Sequence, residues 1–269
     1  MFLMTNAQRC AMQKVSRRTR RPTDRKYTVN GWIIVFVSGT VVLASFVHTT
    51  SGFAFALITM ALWPMLLPIA DATHLLMFSS FLVISIVTFQ FRRHIDLRLV
   101  VVPSVVAVVG NAVGVFLVGN VPEALLIRVL GALLIVLAMT LFLTGDRFRV
   151  EPTAASASVA GGISGIMNGM FNIPGPPIVL YYSAATRTKE EYIATTQFFF
   201  WIALVQRMVL VLISTPISRE VFVLAPFTIA GSILGMVLGF RVFRGLSGTR
   251  VRQTVFALMM VSGLLYLVR

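Results

Sequence analysis

Apolar residues in this chain come in long unbroken stretches, without the strict alternation of half-buried strands. Eight such runs cover 31–68, 72–91, 97–119, 122–143, 154–182, 192–214, 221–243 and 251–268. Most reach the roughly 20 residues that an α-helix needs to cross a bilayer. The pattern predicts an all-α polytopic membrane protein with about eight transmembrane runs. A membrane β-barrel would need segments of alternating polarity. The first and fifth runs are too long for one ordinary span, and each is interrupted. The interruptions are HTTSGF at 48–53 and NGMFNIPGPP at 168–177. Broken or re-entrant helices are expected at both.

The order of events repeats along the chain. A long broken run is followed by a span with a polar start, then one with Gly-x-x-x-Gly, then a final span. Gly52 in the first break pairs with Gly175, 123 residues on. THLLMFSSF from Thr73 overlies EEYIATTQF from Glu190, 117 residues on, and GNAVG from Gly110 overlies GSILG from Gly231, 121 residues on. Three matches in one order predict a duplication, with repeats at 31–143 and 154–269 joined by a basic linker at 144–153. Corresponding interruptions in such repeats point to a binding site. Whether the repeats are parallel or inverted depends on how the broken runs fold. Glycines also recur every four residues, at Gly161, Gly165, Gly169 and at Gly231, Gly235, Gly239. Each series makes a smooth face for a neighbouring helix.

Composition agrees with the pattern. The chain has 269 residues, 57% hydrophobic and 12% charged, about half the charged share of a soluble domain. Its mean hydropathy is +0.89. Basic residues outnumber acidic ones 23 to 9. Many of them lie in the tail 1–30: Arg9, Lys14, Arg17, Arg18, Arg20, Arg21, Arg25 and Lys26, against Asp24. This tail is expected to be disordered, cytosolic and lipid-facing. Nucleic acid is not expected as a partner, because interleaved aromatics are missing apart from Tyr27. The connections RRHIDLR at 92–98 and TGDRFRVEPT at 144–153 are basic. If each long run crosses once, both fall inside with the tail, and the basic loop at 241–252 falls outside, against the charge rule. The bacterial inner membrane is the expected location. The sole cysteine, Cys10, excludes an intramolecular disulfide and a cysteine-based metal site. Trp32 and Trp63 suit interfacial anchors.

The breaks carry the candidate chemistry. Broken helix at membrane depth survives only inside protein or beside a water-filled cavity. Pro174, Pro176 and Pro177 remove three N–H donors and stop a helix. A new helix can start at Pro176 or Pro177, with free N–H groups from Ile178 onward. In the first half, Ser51 can cap a helix starting near Phe53, leaving the amides of Gly52 to Phe55 free. Two such N-termini bring about half a positive charge each and bind anions without a cationic side chain. Gly52, Gly169 and Gly175 allow close backbone approach, and Thr49, Thr50, Ser51, Asn168 and Asn172 add neutral donors. Glu123, Glu190, Glu191 and Glu220 all lie at segment ends, so a carboxylate-based cation site is not indicated. Arg207, with Gln206 beside it and Gln197 almost three turns earlier, reads either as a counter-charge or gate, or as a cation snorkelling to the cytoplasmic face, since the run ends near Ser214. His48 adjoins the first break and is the candidate proton carrier. His74 and His94 sit at segment ends.

Enzyme readings do not hold. GISG at 162–165 matches the Gly-x-Ser-Gly of intramembrane serine proteases, but all three histidines lie upstream of it, and the nucleophile needs a base. There is no zinc-binding H-E-x-x-H and no phosphate loop. No catalytic residue, metal or cofactor is expected.

GGISGIMNGMFNIPGPPIVLYY, from Gly161 to Tyr182, resembles the second-half signature of the TauE/SafE family, the sulfite-exporter or anion-permease group. HTTSGFAFALITMALWP, from His48 to Pro64, is similar to that family's first-half break. The resemblance covers about 31–268. The chain departs from it at Ala54, Asn172 and Pro174, where glycines are commoner. It implies secondary or facilitated transport of a small sulfur-containing or organic anion, such as sulfite, a sulfonate or sulfoacetate. The partners so implied are that anion and the lipid bilayer, with room for a homo-oligomer. Alternating access is then expected from rocking of one half against the other. The rival readings are a passive anion channel on the same breaks and a membrane scaffold that does not transport.

Overall fold

The computed structural model describes residues 27–144, 151–242 and 248–268. The side chains of Thr50, Ser51, 141–144 and 248–254 lie outside the described set, as do the tail 1–26 and much of the linker. Ten α-helices form among the described residues: α1 (Gly31–Ser51), α2 (Ala54–Leu62), α3 (Ile69–Phe91), α4 (Leu97–Asn120), α5 (Glu123–Thr144), α6 (Ala154–Phe171), α7 (Gly175–Ala185), α8 (Lys189–Ser214), α9 (Arg219–Val242) and α10 (Gly248–Val268). Eight are long and two are short. α1, α3, α4, α5, α8 and α9 are apolar and long enough to cross a bilayer. The described chain is an all-α polytopic membrane protein.

The interrupted runs turn back on themselves. Tyr27, just before α1, lies beside Asp71 at the start of α3 and near Glu220 at the start of α9; burial and these carboxylates push its phenol above the usual range. Ser218 Oγ donates to Asp71 at 2.9 Å, and the Ile69 N–H donates to Glu123 at 3.0 Å. The starts of α1, α3, α5 and α9 therefore share one face, here called proximal. α1 and α2 form a hairpin that leaves this face and returns to it. Trp63 follows α2 and is fully buried. It is not an interfacial anchor, because the hairpin tucks it inside; Trp32, at the start of α1, is exposed.

The second half repeats this plan from the opposite, distal face. The Asp96 N–H donates to Thr195 Oγ1 at 3.2 Å, which puts the start of α4 beside the start of α8. α4 and α6 run parallel, with Gly161 against Pro103 and Gly165 against Ala107. Corresponding helices thus point in opposite directions, and the repeats are inverted. Their starts are offset by 120 to 125 residues from α2 through α5. The basic residues Arg92, Arg93, Arg98, Arg187, Lys189 and Arg241 gather at the distal face. The connection at 92–98, the described ends of the connection at 144–153 and Arg241 therefore share one face, because two of the long runs do not cross as single spans. The root of the tail lies at the other face.

The halves interlock. The first helix of each half lies along the fourth helix of the other, α1 on α9 and α6 on α4, and these are the most extensive helix contacts. Both glycine series serve this packing. A Cβ at Gly165 would lie 2.5 Å from the Ala107 carbonyl oxygen, and one at Gly235 would lie 2.9 Å from Ser45 Cβ. α5 lies on α10 and α3 on α8. One buried cluster joins α1, α2, α3, α5, α9 and α10 with the end of α6 (Met167 and Phe171), and the other joins α4, α6, α7 and α8 to α3.

Candidate functional site

Each break is made by one left-handed residue. Gly52, with φ of 83°, ends α1, and Asn172, with φ of 57°, ends α6; these are the two positive-φ residues among those described. Glycine and asparagine are the residues that adopt this conformation most readily. The structural partner of Gly52 is therefore Asn172, 120 residues on, in line with the helix starts. The pairing with Gly175 expected from sequence is corrected by three residues. At each turn the amide folds back four residues, Gly52 N–H to His48 O at 2.7 Å and Asn172 N–H to Asn168 O at 2.8 Å.

After each break a short helix starts. Phe53, not the expected Ser51, takes the N-cap position of α2, and Ser51 ends α1. Ala54, Phe55 and Ala56 form its first turn, whose N–H groups lack intrahelical acceptors. α7 starts at Gly175 with prolines in its first turn and Pro174 at its N-cap. Pro176 and Pro177 have no N–H, and the Ile178 N–H falls at the position that bonds to Pro174 O. The second break therefore offers the Gly175 amide, not a row of amides from Ile178 onward. The two helix starts meet, with a Cβ at Gly175 falling 3.7 Å from Phe53 Cβ and 3.8 Å from Phe200 Cζ.

Between them is a small central cavity of about 30 Å³. His48, Phe53, Asn168, Asn172, Pro174 and Gly175 line it together with Phe55, Ala56, Ser80, Ile84, Phe200 and Leu204. No acidic side chain lines it. A second cavity reaches in from the distal face to His48, Thr49, Gly52 and Gln197, past Lys189 and Tyr192. A third reaches in from the proximal face to Gly169 and Arg207, past Glu123 and His74. The residues singled out by sequence thus fall into three places. Thr49 spends its hydroxyl on Ser45 O at 2.8 Å. Gly169 packs against α4 and also reaches the proximal cavity. Pro176 and Pro177 start α7 and line none of these three cavities, and the side chains of Thr50 and Ser51 are outside the described residues.

Arg207 is 2% exposed and does not snorkel. Its Nη1 donates to Asn168 O at 2.6 Å and to Gly169 O. It therefore caps the C-terminus of α6. Gln197, on the same helix α8, donates to Gly52 O at 2.8 Å and lies 3.3 Å from His48 Nε2. Its amide caps the C-terminus of α1. A helix C-terminus carries about half a negative charge. α8 supplies donors to both, so the N-terminal ends of α2 and α7 set the potential of the central cavity.

Sequence reasoning passed over two residues. Asn111 is fully buried in the middle of α4 and, like Asn168, donates to Ala203 O at 3.0 Å. Its signal was a lone amide inside GNAVG. His74 was read as an end residue, yet it is 4% exposed and lines the proximal cavity.

Residues 37–266 match the family described as Sulfite exporter TauE/SafE. No curated protein and no solved structure matches the chain.

Proposed function

The chain belongs to the TauE/SafE family of membrane transporters, and from that premise we propose that it carries a small anion through the central cavity as a secondary or facilitated transporter. The observation that carries this reading is the head-to-head meeting of the α2 and α7 starts over a cavity with no acidic lining. The free amides of Ala54, Phe55, Ala56 and Gly175 bind the anionic group. Phe53, Phe55, Ile84, Phe200 and Leu204 wall the rest. Such a wall favours an anion with an apolar part, a sulfonate, sulfoacetate or a small carboxylate, over a fully solvated one such as sulfate.

Three separate cavities favour a carrier over a passive channel, which needs one continuous lumen. His48 lines both the central and the distal cavity, and it is the group through which a proton would be coupled. On this reading the moving body is not a chain half: α4, α6, α7 and α8, which share one buried cluster, move against the remaining helices, and the interlocked packing supports that division.

The cell location is the bacterial inner membrane. The basic connections support a cytoplasmic distal face, since positive charge on short connections sets orientation. The root of the tail is then on the opposite side from the one its own charge predicts.

Flux of sulfite, sulfate, sulfonates and small carboxylates into proteoliposomes tests the reading. Saturable uptake with counterflow is expected for at least one of them. A Cβ at Gly175 meets neighbours only at ordinary contact distance, so G175A is expected to transport and G175L to fold but not bind. Unchanged binding by G175L would overturn the amide site.

A further inference from the structure

The proximal cavity holds a cation that the central site does not use. Arg207 lines this cavity, and no carboxylate pairs with it among the described residues. Two of its hydrogen bonds go to the carbonyls that end α6, and its Nε–H has no partner. The C-terminus of α6 offsets only about half of a unit charge. A buried charge left this way is costly without a counter-ion. His74 lines the same cavity at 4% exposure, and its Nδ1 has no partner either. A neutral imidazole always carries one N–H donor. Thr73 has turned its hydroxyl to Ala70 O at 2.8 Å. Glu123, at the mouth, accepts the Ile69 N–H at 3.0 Å.

We propose that this cavity is a second anion site, in which Arg207 and His74 bind a small oxyanion separately from the central cavity. The ligand is a free oxyanion and not a lipid headgroup. Arg207 lies seven residues from the end of α8, about 10 Å below the surface at 1.5 Å per residue. An oxyanion accepts more strongly than a carbonyl. It therefore competes with Asn168 O and Gly169 O for the guanidinium, and its arrival loosens the end of α6 at the second break. The site is an antechamber on the proximal face. Its role in transport rests on the central-cavity reading, and its existence does not.

The test uses the full chain in nanodiscs of zwitterionic lipid, labelled with 15N-arginine, with sulfite as the probe. The Nε–H resonance missing from R207Q is that of Arg207. It is expected to shift and saturate with sulfite in wild type, and equally in G175L, where the central cavity is filled. H74F leaves the α6 cap intact and is expected to weaken this titration about tenfold or more, the worth of a charge-assisted hydrogen bond. An unshifted Arg207 signal overturns the site, and so does a shift that is lost in G175L, because it would then report the central cavity. Saturation that needs anionic lipid in place of sulfite would assign the site to headgroups and overturn the free-anion reading. If G175L keeps its transport while Arg207 still titrates, the central reading fails and the antechamber stands.

Discussion

Asn172 does by conformation what Gly52 does by lacking a side chain. Its φ of 57° lies in the left-handed region, which costs most residues roughly 1–2 kcal/mol and asparagine less. N172G is therefore expected to keep full stability, and N172V to lose about 1–3 kcal/mol, read as thermal unfolding in detergent. Equal melting of the two variants would remove strain from the account of this break. The departure of Asn172 from the commoner family glycine is then a conservative change of backbone chemistry. The departure at Pro174 is different. It is the N-cap of α7, and with Pro176 and Pro177 it leaves Gly175 as the donor there. The two breaks are alike in shape and unequal in donors, with the α2 side the richer.

At the scale of elements, α8 is a cross-brace. Gln197 and Arg207 hold the ends of α1 and α6 from one helix face, so a shift of α8 reaches both breaks together. α4 and α6 run so close that no side chain fits between them. G165A would place a Cβ 2.5 Å from Ala107 O and 2.7 Å from its Cα, and is expected to destabilise by about 1–3 kcal/mol. Gly39 in α1 has nothing within 4 Å of an added Cβ. G39A should be neutral or stabilise by up to about 1 kcal/mol through helix propensity. Paired melting curves of the two variants check this, and comparable losses would show that glycine content, not proximity, is what matters.

At the scale of the molecule, two inverted repeats interlock, and the two faces are distinct. Arg92, Arg93, Arg98, Arg187, Lys189 and Arg241 lie on the distal face, while Arg219 begins α9 and Tyr27 leads into α1 on the proximal face. Tyr27, where the tail joins α1, lies on the face opposite Arg92, Arg93 and Arg98. Cys10 is the sole cysteine of the chain and lies in that tail, so it reports the side directly. A membrane-impermeant maleimide added to spheroplasts is expected to label it. Protection until lysis would reverse the proposed orientation.

The run lengths, the two interruptions and the duplicated order were legible in the sequence, because bilayer thickness and backbone satisfaction act on local stretches. The sense of the repeats was not legible. A run of 38 residues from Gly31 to Pro68 has the same composition whether it crosses or returns, and contacts such as Ser218 with Asp71 decide which. Nor could sequence say where Arg207 points, since a long side chain can reach a surface or a helix end from the same position. Tertiary packing alone turned it to Asn168 and Gly169, buried it and left its Nε without a partner, because folding brings the last carbonyls of α6 within reach of the guanidinium.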